Sequence, residues 1–100
     1  MVLEHALMSV HPGQEAQFEV DLEEALRVIT SAEGCTSAKV LRGVESTSTY
    51  LLLVEWTSVA AHLEGFRGSP AFTRWRELVG PWWVEVPVVE HFSPTAEQPA

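Results

Sequence analysis

The sequence predicts an α+β protein: a four-stranded antiparallel sheet with helices on one face. The first observation is the order of its β-prone and helical segments, which runs strand, helix, strand, strand, two short helices, strand, the split β-α-β order. The second is size, because 100 residues that are 46% apolar and 20% charged suffice for one hydrophobic core and not for two. We therefore expect a single domain over residues 1–93 and a short tail over residues 94–100.

Two different periodicities mark the first strand and the first helix. Residues 2–10 are extended in character, and His11-Pro12-Gly13 ends the run. Apolar residues then recur at helical spacing: Phe18, Leu22, Ala25, Leu26 and Ile29. The acidic residues on the outer face of this helix are typical of a solvated surface, and Glu33-Gly34 supplies its stop.

Two further β-prone runs, 35–44 and 49–56, are separated by four polar residues and predict an antiparallel hairpin. The second run is apolar on both faces through Val54, so we expect a central strand that is covered on both sides. Helices can cover one face only. We expect a second copy of the chain to cover the other, with residues 51–56 and 84–89 forming much of the contact.

The remaining elements are two short helices and a last strand. Thr57-Ser58 offers an N-cap for a helix whose stripe is Val59, His62, Leu63 and Phe66. Ser69-Pro70 begins another, with the stripe Phe72, Trp75, Arg76 and Val79, and Gly80-Pro81 ends it. Residues 82–92 predict the last strand, and Pro87 within it indicates an edge or a bulge.

The composition argues against several kinds of partner. The net charge is −8 with only six Lys and Arg, so the chain lacks the basic surface that binds nucleic acid or anionic membranes. No apolar run approaches the ~20 residues that cross a bilayer. A single cysteine and an N-terminal stretch without signal-peptide character lead us to expect a cytoplasmic protein. The four histidines show no zinc-type spacing, so we expect no metal site.

Several short motifs resemble one known family. They are Glu33-Gly34-Cys35, Val54-Glu55-Trp56-Thr57-Ser58, His62 in the following helix, Gly68-Ser69-Pro70-Ala71-Phe72 and Val89-Glu90-His91-Phe92. In order and spacing, over about residues 2–93, the chain looks like the antibiotic biosynthesis monooxygenase family. The resemblance implies a ferredoxin-like fold and a homodimeric α/β barrel in which two sheets face each other.

The family includes cofactor-free oxygenases of aromatic polyketides, quinol monooxygenases and haem-degrading enzymes. In the cofactor-free oxygenases that this chain resembles, the pocket contains an Asn four positions before the strand-end Trp, a Tyr six positions after it and an Arg about twenty positions after it. Around Trp56, those places hold Leu52, His62 and Arg76, so the Trp and the Arg match while Tyr and Asn are replaced. The segment 72–76, where the haem-degrading members place an iron-binding histidine, has no His, Tyr, Cys or Met, which disfavours haem.

The resemblance therefore implies a small cofactor-independent monooxygenase of an electron-rich aromatic, a quinol or a polyketide. His62 would remove a phenolic proton, and Arg76 or Arg67 would hold the resulting oxyanion. The planar substrate would stack on aromatic side chains. The residues assigned to catalysis are His62, Arg76 and Trp56, and those assigned to substrate binding are Leu52, Phe66, Arg67, Trp75 and His91.

A second class of function, a non-catalytic dimeric barrel that binds a small ligand, explains the same residues by packing. His62 lies on the apolar stripe of its helix, so it also fits a core or interface position. Arg67 and Arg76 can pair with Glu64 and Glu77 on the surface. Side chains of His62 and Arg76 that converge on an open cavity would favour the oxygenase. The same side chains buried against Glu or turned to solvent would favour the binding module.

Overall fold

The computed structural model describes residues 1–95, and its order of elements confirms the predicted α+β, ferredoxin-like fold. The strands are β1 (Val2–Ser9), β2 (Cys35–Arg42), β3 (Thr49–Trp56) and β4 (Val89–Phe92). The helices are α1 (Glu15–Thr30), a π-helix (Ala61–Phe66), α2 (Pro70–Val79) and a 3₁₀ turn (Gly80–Trp82). Residues 96–100 of the predicted tail lie outside the described residues.

The four strands form one antiparallel sheet in the order β2-β3-β1-β4. β3 is a central strand, as its apolar sequence predicts, and its residues alternate between two faces. Every second residue of β3 is buried beneath the helices: Tyr50, Leu52, Val54 and Trp56. The predicted stripe of α1 packs on this face through Phe18, Leu22, Ala25 and Ile29. The hydrophobic core therefore lies between one face of the sheet and the helices.

The opposite face of the sheet is open and apolar in the single chain. Leu7 of β1, Leu41 of β2 and Phe92 of β4 are each about half exposed, at 52%, 50% and 49%. The single chain thus covers the sheet on the helix side only.

The last strand is much shorter than the sequence predicts. Only Val89–Phe92 pairs with β1, whereas the prediction ran from residue 82. Before it, the chain makes one isolated bridge between Val10 and Trp83, in which the Val84 N–H donates to the Ser9 carbonyl and the His11 N–H donates to the Trp82 carbonyl. Proline at position 87 has no N–H to donate to a ladder, which is one reason why pairing begins only after it.

The short helix after β3 also differs from its prediction. Residues 61–66 form a π-helix, and the Arg67 N–H donates to the His62 carbonyl, five residues earlier. Positions four apart share one face in a π turn, as they do in an α turn. His62 and Phe66 are therefore buried together, while Val59 and Leu63, also assigned to the predicted stripe, are partly exposed.

Gly34 lies in the turn between α1 and β2 and approaches the start of the π-helix. Its φ of +87° is one that side-chain-bearing residues rarely adopt, and its carbonyl accepts a hydrogen bond from the Thr57 N–H. A Cβ at this position would lie 2.7 Å from the Cβ of Ala61 and 3.0 Å from Oγ1 of Thr57. The absence of a side chain here lets the turn lie directly against the start of the π-helix.

Gly34→Ala should therefore destabilise the protein more than Gly13→Ala. Both glycines have positive φ, near +90°, so both substitutions carry a backbone strain of about 1–2 kcal/mol. Only Gly34 adds a steric clash, since nothing lies within 4 Å of a Cβ at Gly13. We expect an additional loss of about 1–3 kcal/mol in the free energy of unfolding, measured by urea denaturation. Equal losses in the two variants would contradict the close packing at Gly34.

Candidate active site

A cavity of about 340 Å³ lies between the helix-covered face of the sheet and the helices. Its size is at the lower end of the range for small-molecule sites. Most of the wall is apolar, and the polar exceptions are few. The wall is formed by Glu4, Ala6, Met8, Ile29, Leu52, His62, Phe66, Arg67, Phe72, Trp75, Arg76, Trp83, Val86, Pro87 and Val89.

Glu4 of β1 is a buried acid in this wall, with 4% of its surface exposed. It takes an inward position because β1 alternates faces, and Ala6 and Met8 are the next inward residues. Its Oε1 atom accepts a hydrogen bond of 2.9 Å from Nε1 of Trp56 and lies 3.3 Å from Nε2 of His62. Burial raises the pKa of Glu4, and the bond from Trp56 and the charge of Arg67 only partly oppose this effect.

His62 is packed between Glu4, Trp56 and His91. Its ring stacks on the Trp56 ring with centroids 4.9 Å apart and planes inclined by 13°. Its Nδ1 atom lies 2.7 Å from Nε2 of His91. Burial lowers the pKa of His62 to about 4, and the neighbouring charges of Arg67 and His91 add to the shift. The imidazole is therefore neutral at neutral pH, and both of its nitrogens have protein partners.

Strand register brings this cluster together. In the β1–β4 pair, Glu4 lies opposite His91, so both side chains point to the helix side of the sheet. Trp56 ends β3 on the same face, and the π-helix turns His62 back over it. Four residues from three strands and the π-helix thus meet beside the cavity.

The two arginines of the wall form no ion pair within residues 1–95, so the expected surface pairs with Glu64 and Glu77 do not form. The guanidinium of Arg76 lies over the rings of Phe72 and Trp83, 6.0 and 5.4 Å from their centroids. It therefore remains free of a carboxylate beside the cavity.

Trp83 contributes an unsatisfied donor. Its Nε1 atom is buried and has no hydrogen-bond partner within the described part of the chain. Leaving a buried N–H unpaired costs about 1–3 kcal/mol, so a ligand atom that accepted this bond would bind more tightly. Trp83 and Arg76 thus give the cavity two groups suited to a ligand oxygen.

The structure brings most of the residues predicted for the site together. Six of them line the cavity: Leu52, His62, Phe66, Arg67, Trp75 and Arg76. Trp56 and His91 are not among the wall residues. Trp56 stacks on the His62 ring, and His91 contacts Nδ1 of His62. The arrangement expected of an oxygenase and that expected of a binding module are both partly present. His62 and Arg76 line a cavity, as an oxygenase requires, and His62 is also buried against Glu4, as in a binding module.

Sequence reasoning missed Glu4 and Trp83. The signal for Glu4 in the sequence was its place on the same strand face as Ala6 and Met8. An acid at this position is equally compatible with a face exposed to solvent. Trp83 carried no signal beyond being an aromatic residue near a helix end. Among residues 1–95, no group of three or more His, Cys, Asp or Glu is arranged to hold a metal ion. In the same part of the chain, no helix is long and apolar enough to cross a bilayer.

Comparison with known proteins defines the family. The family model described as antibiotic biosynthesis monooxygenase matches residues 1–78. The chain belongs to the antibiotic biosynthesis monooxygenase family. Proteins of this family are typically dimeric.

Two relatives of this family member are similar over nearly their whole lengths. YczJ of Bacillus subtilis, an uncharacterized protein, is 37% identical over 93 residues, which covers 93% of this chain and 98% of YczJ. A Bordetella bronchiseptica protein, provisionally named an antibiotic biosynthesis monooxygenase, is 36% identical with a TM-score of 0.89, covering 94% of this chain and 96% of that one.

A more distant structure carries a described activity. SnoaB of Streptomyces nogalater, a cofactor-independent oxygenase solved as a point mutant, has a TM-score of 0.82 at 18% identity, covering 99% of this chain and 97% of SnoaB. At that identity, the likeness shows the fold alone.

The buried His62 should make the protein acid-sensitive. Its pKa falls from 6.5 in the unfolded chain to about 4 in the folded state, so the unfolded state binds more protons between those values. Acidification from pH 7 to pH 5 should then cost about 2 kcal/mol of stability at this site. We expect His62→Gln to lose less stability than the wild type over this interval, measured by urea denaturation at both pH values.

The raised pKa of Glu4 acts in the opposite direction, but Glu4 is present in both proteins being compared. His11→Gln is the matched control, since His11 lies exposed between β1 and α1 and should leave the pH dependence unchanged. Parallel pH profiles for wild type and His62→Gln would show that the folded state does not exclude the charged imidazole.

Proposed function

We propose that the protein is a cofactor-independent monooxygenase acting on an electron-rich aromatic of the quinol or polyketide type. The observation that carries this proposal is the cavity, whose apolar and aromatic wall is interrupted by a buried Glu4–His62 pair and by Arg76, which forms no ion pair within residues 1–95. The activity described for SnoaB, which shares the fold, supports the same reaction class.

The cavity residues suit the steps of such a reaction. A planar ring would pack against Phe66 and Trp75, since aromatic faces bind flat apolar ligands well. Loss of a phenolic proton raises the electron density of the ring, which then transfers electrons to oxygen. One oxygen atom enters the product and the other leaves as water, so the substrate itself supplies the reducing equivalents.

Arg76 is the group proposed to stabilise the oxyanion that forms. It lies in the cavity wall, and the rings of Phe72 and Trp83 hold its guanidinium. A preorganised positive charge in a site with little water stabilises developing negative charge more than the same charge in solvent. Arg67 is the second cation of the wall and the alternative candidate for this role.

A non-catalytic module that binds a small ligand is the second candidate function. Leu52 favours it, because the cavity wall is apolar at the position where the related oxygenases carry an amide. The two protein partners of His62 favour it as well, since they occupy both imidazole nitrogens. Under this alternative, the buried polar cluster shapes the cavity and does no chemistry.

The proposal includes a cytoplasmic homodimer. The open sheet face, with Leu7, Leu41 and Phe92 about half exposed, is more apolar than a solvated surface requires. A second copy that packs the same face would bury these side chains around a twofold axis. The free, half-buried Cys35 supports a reducing compartment.

Oxygen uptake with dihydroxynaphthalenes and anthrones, without added cofactor, tests the activity. We expect turnover by the wild type and a roughly hundredfold lower rate for Arg76→Ala, the usual effect of removing an oxyanion donor. Arg74→Ala is the matched control on the same helix, because Arg74 is exposed and pairs with Glu24. His62→Ala should also lose activity, whereas His11→Ala should keep it. No uptake by the wild type on any substrate would favour the binding module.

Leu7→Arg should convert the dimer to a monomer. The substitution places a charge in the middle of the open sheet face, where burial against a second copy would be strongly unfavourable. Val20→Arg is the matched control, since Val20 is 69% exposed on α1, away from that face. Sedimentation velocity would give the masses of all three proteins. A monomeric wild type, or a dimer that persists in Leu7→Arg, would contradict the proposed interface.

A further inference from the structure

A line of three titratable side chains runs from the cavity to the edge of the sheet. Glu4 lies in the cavity wall, and its Oε1 atom is 3.3 Å from Nε2 of His62. The other ring nitrogen of His62, Nδ1, is 2.7 Å from Nε2 of His91. Glu4 and His62 are almost fully buried, whereas His91 is only half-buried on the edge strand β4. One end of the line therefore meets the ligand space and the other approaches solvent.

Glu4 is the group in the wall with a free acceptor atom. His62 has protein partners on both nitrogens, and the arginines of the wall are permanently protonated. The Trp56 N–H donates to Oε1, Nε2 of His62 also contacts Oε1, and no hydrogen bond or ion pair within residues 1–95 uses Oε2. A phenol in the cavity would thus find an unused carboxyl oxygen beside it.

The geometry points to Glu4 as the acceptor of the substrate's phenolic proton, with His62 passing a proton on to His91; this inference rests on the proposed oxygenase function. In this step the phenol O–H bond breaks and an O–H bond forms at Oε2 of Glu4. The proton on Oε1 moves to Nε2 of His62, and the proton on Nδ1 of His62 moves to Nε2 of His91. Glu4 and His62 end neutral, His91 becomes the imidazolium, and the phenolate remains in the cavity.

The protonation states required at the start fit the surroundings. Burial raises the pKa of Glu4 and lowers the pKa of His62, so the neutral form is favoured at each, and neither is a stable place for a charge. Arg67 faces both Glu4 and His62, and His91 faces His62. The positive charges of Arg67 and His91 both disfavour protonation of the His62 ring to the imidazolium. Cys35 is the other titratable group near Glu4, and burial raises the pKa of its thiol, which keeps it neutral.

Trp56 is a positioning residue in this arrangement. Its N–H fixes Oε1 of Glu4 by donating to it at 2.9 Å, and its ring fixes the plane of His62 by stacking. It does not line the cavity, so it acts on a substrate only through these two neighbours. Trp56 thus holds the carboxyl of Glu4 and the ring of His62 in place, and His91 forms the outer end of the relay at the sheet edge.

The test follows proton removal directly and needs no oxygen. The probe is 4-nitro-1-naphthol, whose phenolate and phenol differ in colour, mixed anaerobically with the protein in a stopped-flow instrument just below the pH at which the free probe ionises. Binding is measured separately by quenching of tryptophan fluorescence. We expect Glu4→Gln and His91→Ala to bind the probe but to form its phenolate at least tenfold more slowly than the wild type.

Imidazole in the buffer separates a relay from a structural role. It should restore the rate in His91→Ala, because a small base can replace the outer end of the line, and leave Glu4→Gln slow, because the inner end is buried. His11→Ala is the control, because His11 is exposed between β1 and α1 and lies outside this line of side chains. Its rate should equal that of the wild type.

Wild-type rates in both variants, or no rescue of His91→Ala by imidazole, would overturn the inference. So would a wild-type protein that does not bind the probe or leaves it as the phenol. Rapid ionisation in the wild type without oxygen uptake on any quinol would instead reject the proposed oxygenation and leave the proton relay standing.

Discussion

The buried carboxyl of Glu4 is the constraint on which the site depends. An acid removed from water is strongly unfavourable unless its oxygens are hydrogen-bonded, so the fold must supply donors at this point. The indole N–H of Trp56 donates to Oε1 at 2.9 Å, and Nε2 of His62 lies 3.3 Å from the same oxygen; each of these partners needs its own element to be in place. The end of β3, the π-helix and β1 are therefore tied to one another through a single side chain.

This dependence explains the form of the segment after β3. A regular α-helix would place Val59 and Leu63 on the stripe of His62 and Phe66, whereas here His62 and Phe66 are buried and Val59 and Leu63 are 38% and 40% exposed. Phe66 packs against the rings of Trp56 and His62, with centroids 5.5 and 6.4 Å away, and Phe72 packs edge-on against Phe66. The aromatic residues form one continuous cluster from the sheet to α2, which holds the polar group in a fixed geometry.

The fold was predictable from the sequence because its signals are local. The alternation in β3 and the stripe of α1 each report one element and one buried face. Glu4 was not predictable as a site residue because its partners lie 52 and 58 positions away and meet it only through strand register. The π-helix was not predicted because apolar spacing does not distinguish it from an α-helix. The predicted start of the last strand was too early because β propensity does not report which residues pair with a neighbouring strand.

The weakly paired segment before β4 has a consequence for access to the cavity. Val86 and Pro87 form part of the cavity wall, yet among residues 1–95 the backbone of their segment is joined to the sheet before β4 by two hydrogen bonds, Val84 N–H to the Ser9 carbonyl and His11 N–H to the Trp82 carbonyl. Backbone held by so few hydrogen bonds opens at a small fraction of the global unfolding free energy. We therefore expect this wall to open locally more readily than the β1–β3 ladder and the cluster around Glu4. The segment before β4 and the paired strands of the same sheet are thus expected to differ in how readily they open.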